Sequence, residues 1–245
     1  MAPDFLRQQK RTLCSRRPSI SKLTNTFRKF CVKVLERGLG KTSFKKFSPR
    51  KKERTMRIIT GKARGTKLNT LAGEATRPTA ERTKEAVFSM LQNEIAGAKV
   101  LDLFAGSGQL GLEALSRGAE YAVFNDSSRE AAAIIRANVE KTHFKDVCEV
   151  LSTDWKPVLR RFAGREKFDM VFLDPPYAGG FLPKVLAEIA EKDLLAEGGI
   201  IVCESADEGD VFGSNEDLKN QFTVRRVARY GAACVTILEK GESDA

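Results

Sequence analysis

The 245-residue sequence predicts an α/β fold: a mostly parallel sheet with helices on both faces, closed by a C-terminal antiparallel hairpin. Three observations carry this expectation. From Lys99 onward, short apolar runs alternate with helical patterns. A glycine-rich turn follows the first apolar run directly. The chain then ends in two successive strand-like runs with only a glycine turn between them.

Charge divides the chain before any motif does. Residues 1–55 hold 17 Lys and Arg against 3 Asp and Glu, a net charge of +14, while the remaining residues hold 25 against 29, a net −4. The overall +10 therefore belongs to the leader, and composition alone says nothing about nucleic-acid binding by the body. The leader reads as a basic, disordered N-terminal extension, in which residues 20–37 have the pattern of a short helix. It is an RNA-binding arm, an organelle transit peptide or sequence upstream of a start at Met56. The five cysteines (14, 31, 148, 203 and 234) form no Cys-x-x-Cys pair, and His143 stands alone, which excludes a disulfide scaffold or zinc site. No apolar run approaches the ~20 residues of a membrane span. These features predict a soluble, cytoplasmic protein with no membrane or metal, or an organellar one if the leader is a transit peptide.

Residues 56–98 form a second zone. Arg57–Gly61 and Lys67-Leu68 predict a small β-hairpin. Arg77-Pro78-Thr79 reads as an extended turn, after which Thr79 caps a helix over Ala80–Glu94 with Val87, Phe88 and Leu91 on its apolar face. Seven Lys and Arg lie between residues 57 and 84, the basic stretch outside the leader. Arg57, Lys62, Arg64, Lys67, Arg77 and Arg82 are candidate contacts to a nucleic-acid backbone. The alternative for any one of them is a solvated surface.

Residues 99–240 carry the alternation. Strands are expected over Val100–Phe104, Tyr121–Phe124, Val147–Leu151, Phe168–Leu173 and Gly199–Glu204. Helices are expected over Leu110–Arg117 (closed by Gly118), Arg129–Glu140, Pro157–Phe162 and Leu182–Glu191. Phe222–Tyr230 and Ala233–Leu238 pair through a turn near Gly231. His143 reads as a helix-end residue, and Cys148, Cys203 and Cys234 as core.

The first strand runs into Asp102-Leu103-Phe104-Ala105-Gly106-Ser107-Gly108, with Gly111 completing G-x-G-x-x-G. Such a loop brings backbone close to a ligand and serves dinucleotides and S-adenosylmethionine alike. Asp126, ending the second strand, can take both ribose hydroxyls of either. Asp102, just before the loop, repels a pyrophosphate but favours the sulfonium and ammonium of S-adenosylmethionine; its other role is to cap loop amides. Asp154, after the third strand, can accept from the adenine amine. Trp155 either packs on the purine or fills the core.

The fourth strand ends in Asp174-Pro175-Pro176-Tyr177. Two prolines stop the ladder and leave carbonyls free, Asp174 adds a carboxylate, and Tyr177 adds a flat ring. Acceptors beside a stacking ring suit a planar heterocycle with an exocyclic amine. They hold the amine and turn its lone pair toward a methyl donor, so that positioning supplies most of the acceleration. No cysteine nucleophile stands there for cytosine-C5 chemistry.

Together these residues resemble the class I S-adenosylmethionine-dependent methyltransferases. Met56-Arg57-Ile58-Ile59-Thr60-Gly61, Arg64-Gly65, Arg77-Pro78-Thr79 with Arg82, Glu85 and Phe88, and Leu110-Gly111-Leu112-Glu113-Ala114 narrow the resemblance. It is to the bacterial RsmD-type 16S rRNA guanine-N2 methyltransferases, over about residues 56–240. The resemblance implies a Rossmann-like class I methyltransferase fold with seven strands. It implies transfer of methyl from S-adenosylmethionine to one guanine N2 of 16S rRNA, within the small subunit or an assembly intermediate, by a monomer. Two features depart from the pattern: Asp126 where a glutamate is common, and the leader. Rival readings are a DNA or small-molecule amino methyltransferase, an RNA-binding assembly factor without catalysis, and an NAD oxidoreductase.

Overall fold

The computed structural model describes residues 56–71, 78–177 and 179–241. The leader, with its expected helix over 20–37, and Arg77 lie outside the described residues. The elements are α1 (Pro78–Met90), β1 (Lys99–Asp102), α2 (Gln109–Ser116), β2 (Tyr121–Asn125), α3 (Arg129–Thr142), β3 (Cys148–Leu151) and α4 (Trp155–Phe162). They continue as β4 (Phe168–Leu173), α5 (Phe181–Glu191), β5 (Leu195–Ser205), α6 (Glu216–Asn220), β6 (Phe222–Tyr230) and β7 (Ala233–Lys240).

The seven strands form one sheet in the order β3-β2-β1-β4-β5-β7-β6. β1 to β5 pair in parallel, while β7 pairs antiparallel with both β5 and β6. The fold expected from the alternation, the seven strands and the closing hairpin are all present. β1, β2 and β4 are apolar on both faces because helices cover both. Side chains alternate between two cores. Val100, Phe124 and Phe172 pack with Phe88, Leu112 and Ile135 of α1, α2 and α3. Leu101, Val123 and Val171 pack with Val158 and Leu186 of α4 and α5. His143 caps α3 in the left-handed conformation, Cys203 and Cys234 are buried, and Cys148 is half-buried.

Four expectations need correction. The N-terminal hairpin keeps one antiparallel bridge, Arg57 to Lys67, with the Ile58, Gly65 and Leu68 amides bonding across it, because the Ile59, Thr60, Lys62 and Ala63 amides bond to α2 instead. Thr79 lies inside α1, which starts at Pro78, a residue suited to a first turn that needs no N–H donor. α4 starts at Trp155, two residues before Pro157, because Asp154 caps it. β5 starts at Leu195: its register against β4 jumps from Phe168–Leu195 to Met170–Ile200, so Glu197 and Gly198 loop out inside the strand.

The segment 56–71 is riveted to α2 by buried polar groups. Glu113 is fully buried; its carboxylate accepts the Ile59 and Thr60 amides at 2.8 and 3.0 Å and the Arg117 Nε–H at 2.9 Å. Lys84, also buried, lies 3.6 Å from Glu113 and donates to the Arg57 carbonyl at 2.8 Å. The turn then sits on the end of α2, where Lys62 N–H meets the Ser116 carbonyl at 2.8 Å. A Cβ on Gly61 would overlap that carbonyl.

Candidate functional site

Parallel pairing sends the carboxyl ends of β1 to β5 to one edge of the sheet. The strand order reverses between β1 and β4. A crevice opens at such a switch point, outside the strand ends. The glycine loop leaves β1 on one side of it, and Asp174-Pro175-Pro176-Tyr177 leaves β4 on the other.

Side chains from four places fix the glycine loop. Asp102 ends β1 with 1% exposure, and its Oδ2 accepts the Gly111 N–H at 3.0 Å. Of the two roles considered for Asp102, capping loop amides is the one the structure displays; the carboxylate lies beneath the loop. Burial pushes its pKa up to about 7, the Gly111 hydrogen bond opposes the rise, and the charge of Asp126 adds to it. Asp126 is half-buried and bridges outward, its Oδ2 accepting Gly106 N–H at 2.9 Å and its Oδ1 accepting Ser128 N–H at 2.8 Å. Gly106 and Gly108 turn the chain at φ 53° and 77°, in the left-handed region where a side chain is strained. A Cβ on Gly111 would overlap the Phe124 ring, so the third glycine sets how closely α2 approaches β2.

Two asparagines that motif reasoning missed complete the frame. Asn125, 1% exposed, donates to the Leu103 carbonyl at 3.2 Å and accepts the Thr153 amide at 3.3 Å, tying three strand ends together. Asn138, fully buried on α3, donates to the Ser107 carbonyl at 2.9 Å and exchanges two hydrogen bonds with the Asn69 backbone, at 2.7 and 3.0 Å. Its signal was present: an amide on the face shared by Ala131, Ala132, Ile135 and Val139.

Asp154 is exposed and caps α4 by accepting the Trp155 N–H at 2.8 Å. Trp155 is a correction. The ring is 6% exposed within the core cluster of α4 and α5, so it has no open face for a purine. Phe104 is half-buried and meets Phe181 with ring centroids 5.9 Å apart, linking the glycine loop to the start of α5. Ser107 is buried and takes part through its carbonyl.

Across the crevice, Asp174 is half-buried, Pro175 buried and Pro176 exposed. Tyr177 is 50% exposed, and its hydroxyl donates to Glu204 Oε1 at 3.1 Å. Glu204 is the penultimate residue of β5, beside the exit of β4; no motif announced it.

The basic residues separate. Lys84 lies beside Glu113 and Phe88 beside Arg117, so α1 and α2 run side by side in the same direction. The exposed Arg82 is therefore near the glycine-loop end. Lys62 and Arg64, also exposed, are in the turn at the opposite end of α2, about 12 Å along an eight-residue helix. Arg57 pairs with Glu81 at 3.0 Å, and Lys67 is exposed. The basic stretch thus extends from the crevice to the far end of α2, and only part of it is beside the crevice mouth.

The donor set suits a cationic ligand bearing hydroxyls. Asp126 keeps unused acceptor lobes, and the Gln109 Oε1, in the first residue of α2, is buried with no hydrogen-bond partner. Among the described residues no cluster of His, Cys, Asp and Glu is placed to hold a metal ion, and no helix is long and apolar enough to cross a membrane.

A family model described as "Conserved hypothetical protein 95" matches residues 56–239. YlbH of Bacillus subtilis (strain 168) is 38% identical over 186 residues, covering 76% of this chain and 99% of that protein. "Ribosomal RNA small subunit methyltransferase D" of Haemophilus influenzae (strain ATCC 51907 / DSM 11121 / KW20 / Rd) is 34% identical, covering 61% of this chain and 78% of that protein. The solved structure of yhhF from Escherichia coli superposes with a TM-score of 0.65 at 27% identity, covering 77% of this chain and 99% of that one.

Proposed function

This chain belongs to the Conserved hypothetical protein 95 family, and from that premise we propose that it transfers a methyl group from S-adenosylmethionine to the exocyclic N2 of a guanine in 16S rRNA. The observation that carries this reading is the position of Asp174-Pro175-Pro176-Tyr177. It stands at the switch point of the sheet, facing a glycine loop whose surroundings supply acceptors. The RsmD-type resemblance read from the motifs agrees with this family, and the name of the Haemophilus influenzae relative supports rRNA as the methyl acceptor.

When bound, S-adenosylmethionine supplies an electrophilic methyl on a sulfonium. Asp126 accepts the ribose hydroxyls, Gly106 and Gly108 let the loop backbone approach, and Asp102 holds the loop from below. Asp154 accepts from the adenine amine with the lobes its cap leaves over. Phe104 and Ser107 shape the loop.

Asp174 and the carbonyls of the Pro175–Pro176 turn accept the N2 hydrogens, while Tyr177 stacks on the guanine face. Held so, the amine directs its lone pair at the methyl carbon. With the methyl supplied there, Asp174 or water would take the proton that N2 gives up. Arg77 and Arg82 contact phosphates near the base. Arg57, Lys62, Arg64 and Lys67 extend that contact along the RNA and position it without reading sequence. The substrate is the small subunit or an assembly intermediate.

Replacing Asp174 with Ala tests the mechanism. The variant is expected to bind S-adenosylmethionine in calorimetry as the wild type does, yet lose transfer of labelled methyl to small-subunit RNA by 100-fold or more, on the order expected for a positioned acceptor. Unchanged transfer would refute it. Competing DNA, free rRNA and small-subunit particles in the same assay identify the polymer, and mass mapping of the methylated 16S rRNA identifies the nucleotide.

A further inference from the structure

Glu204 sits where the reaction just described leaves one requirement unmet. Leu173 of β4 pairs with Cys203 of β5, so one residue further on Asp174, just past the end of β4, lies beside Glu204, the penultimate residue of β5, which still pairs with Val235 of β7. The Glu204 carboxylate is anchored by the Tyr177 hydroxyl at 3.1 Å, beside the half-exposed ring. One such hydrogen bond leaves most of its acceptor lobes unused.

The amine-binding turn cannot by itself choose among bases, because adenine, cytosine and guanine all carry an exocyclic NH2. They differ in the ring atom next to it. Beside the amine, adenine and cytosine each present a bare acceptor nitrogen, N1 or N3, whereas guanine presents a second donor, N1–H. An anionic acceptor beside the amine site satisfies guanine and repels the other two. Enzymes that act on an unstacked base read this edge by hydrogen bonds. We propose that Glu204 selects guanine, its carboxylate accepting N1–H while Asp174 and the proline turn accept from N2; this rests on the guanine-N2 reading above. Burial pushes the Glu204 carboxyl above its ordinary value, with the Tyr177 hydrogen bond opposing the rise. Such a group gains more from a donor than a solvated one does.

2-Aminopurine tests the contact. It keeps the N2 amine but has a bare N1, and it also lacks O6. Small-subunit particles are assembled with guanine or 2-aminopurine at the mapped position and methylated by the full-length chain. The wild type is expected to favour guanine in kcat/KM by about 100-fold. In Glu204→Ala, transfer to guanine falls and the preference shrinks to about threefold. Glu204→Gln, which retains an acceptor oxygen, gives an intermediate ratio, and it carries the test if the alanine variant fails to fold. Any preference that comes from O6 survives in both variants and cancels in the comparison.

A fall in both rates with the 100-fold preference intact would overturn the inference and leave Glu204 as a clamp on Tyr177. A wild type indifferent to 2-aminopurine would also overturn it, while leaving guanine methylation standing. A wild type that methylates no guanine would refute the function itself.

Discussion

Asp102 carries a cost that can be measured without any ligand. Its carboxyl is buried beneath the glycine loop with a pKa pushed up to about 7, whereas in the unfolded chain it ionises near 3.8. Between those values the folded state holds a proton that the unfolded state has lost. Stability from this group is therefore full below about pH 4 and falls as pH rises through about 7. A shift of this size corresponds to a loss on the order of 4 kcal/mol in all, of which about 3 kcal/mol falls between pH 5 and pH 8. Asp102→Asn keeps an acceptor for the Gly111 amide and removes the titration. In urea unfolding at pH 5 and pH 8, the wild type should lose about that much more stability than the variant; equal losses would show that Asp102 ionises normally. At this scale the sequence was legible where chemistry is local. Asp126, Gly106, Gly108 and Asp174 lie where their motifs implied. Trp155 and Asp102 were ambiguous because their roles depend on what packs over them, and Glu204 was silent because only strand pairing brings it beside Asp174.

The elements of the sheet were read nearly to their ends, since buried parallel strands are continuous apolar runs. Boundaries moved where a polar side chain decided them, as Asp154 does for α4. The N-terminal segment was harder to read, because a hairpin pattern cannot show that its amides bond to Glu113 more than fifty residues away. That docking makes a strong prediction. Glu113 and Lys84 are both buried, so Glu113→Gln leaves an uncompensated ammonium inside and should cost about 3–5 kcal/mol in urea unfolding. Adding Lys84→Met should recover much of the loss. Burial already pulls the Lys84 pKa below its ordinary value, with Glu113 opposing. Without Glu113 it falls further, and the folded variant sheds a proton that its unfolded chain keeps. The deficit of Glu113→Gln should therefore shrink between pH 7 and pH 9. A deficit constant with pH would mean that Lys84 finds another counter-charge.

At the scale of the whole molecule, charge and catalysis are separable. Residues 1–55 carry +14 and the rest −4, yet every residue given a role in methyl transfer lies beyond residue 56. The basic side chains of 57–84 run from Arg82 near the glycine loop to Lys62 and Arg64 at the far end of α2, a track suited to successive phosphates. Each phosphate contact displaces a counterion, so the salt dependence of binding counts the contacts. A chain beginning at Met56 should retain transfer to small-subunit RNA, because the glycine loop, the Asp174–Tyr177 turn and the basic side chains of 57–84 remain. If the leader also touches RNA, the full chain's affinity will fall more steeply with salt than that of the shorter chain. Parallel slopes would confine the contacts to residues 57–84. Loss of transfer by a shorter chain that still binds S-adenosylmethionine would make the first 55 residues part of the RNA site itself.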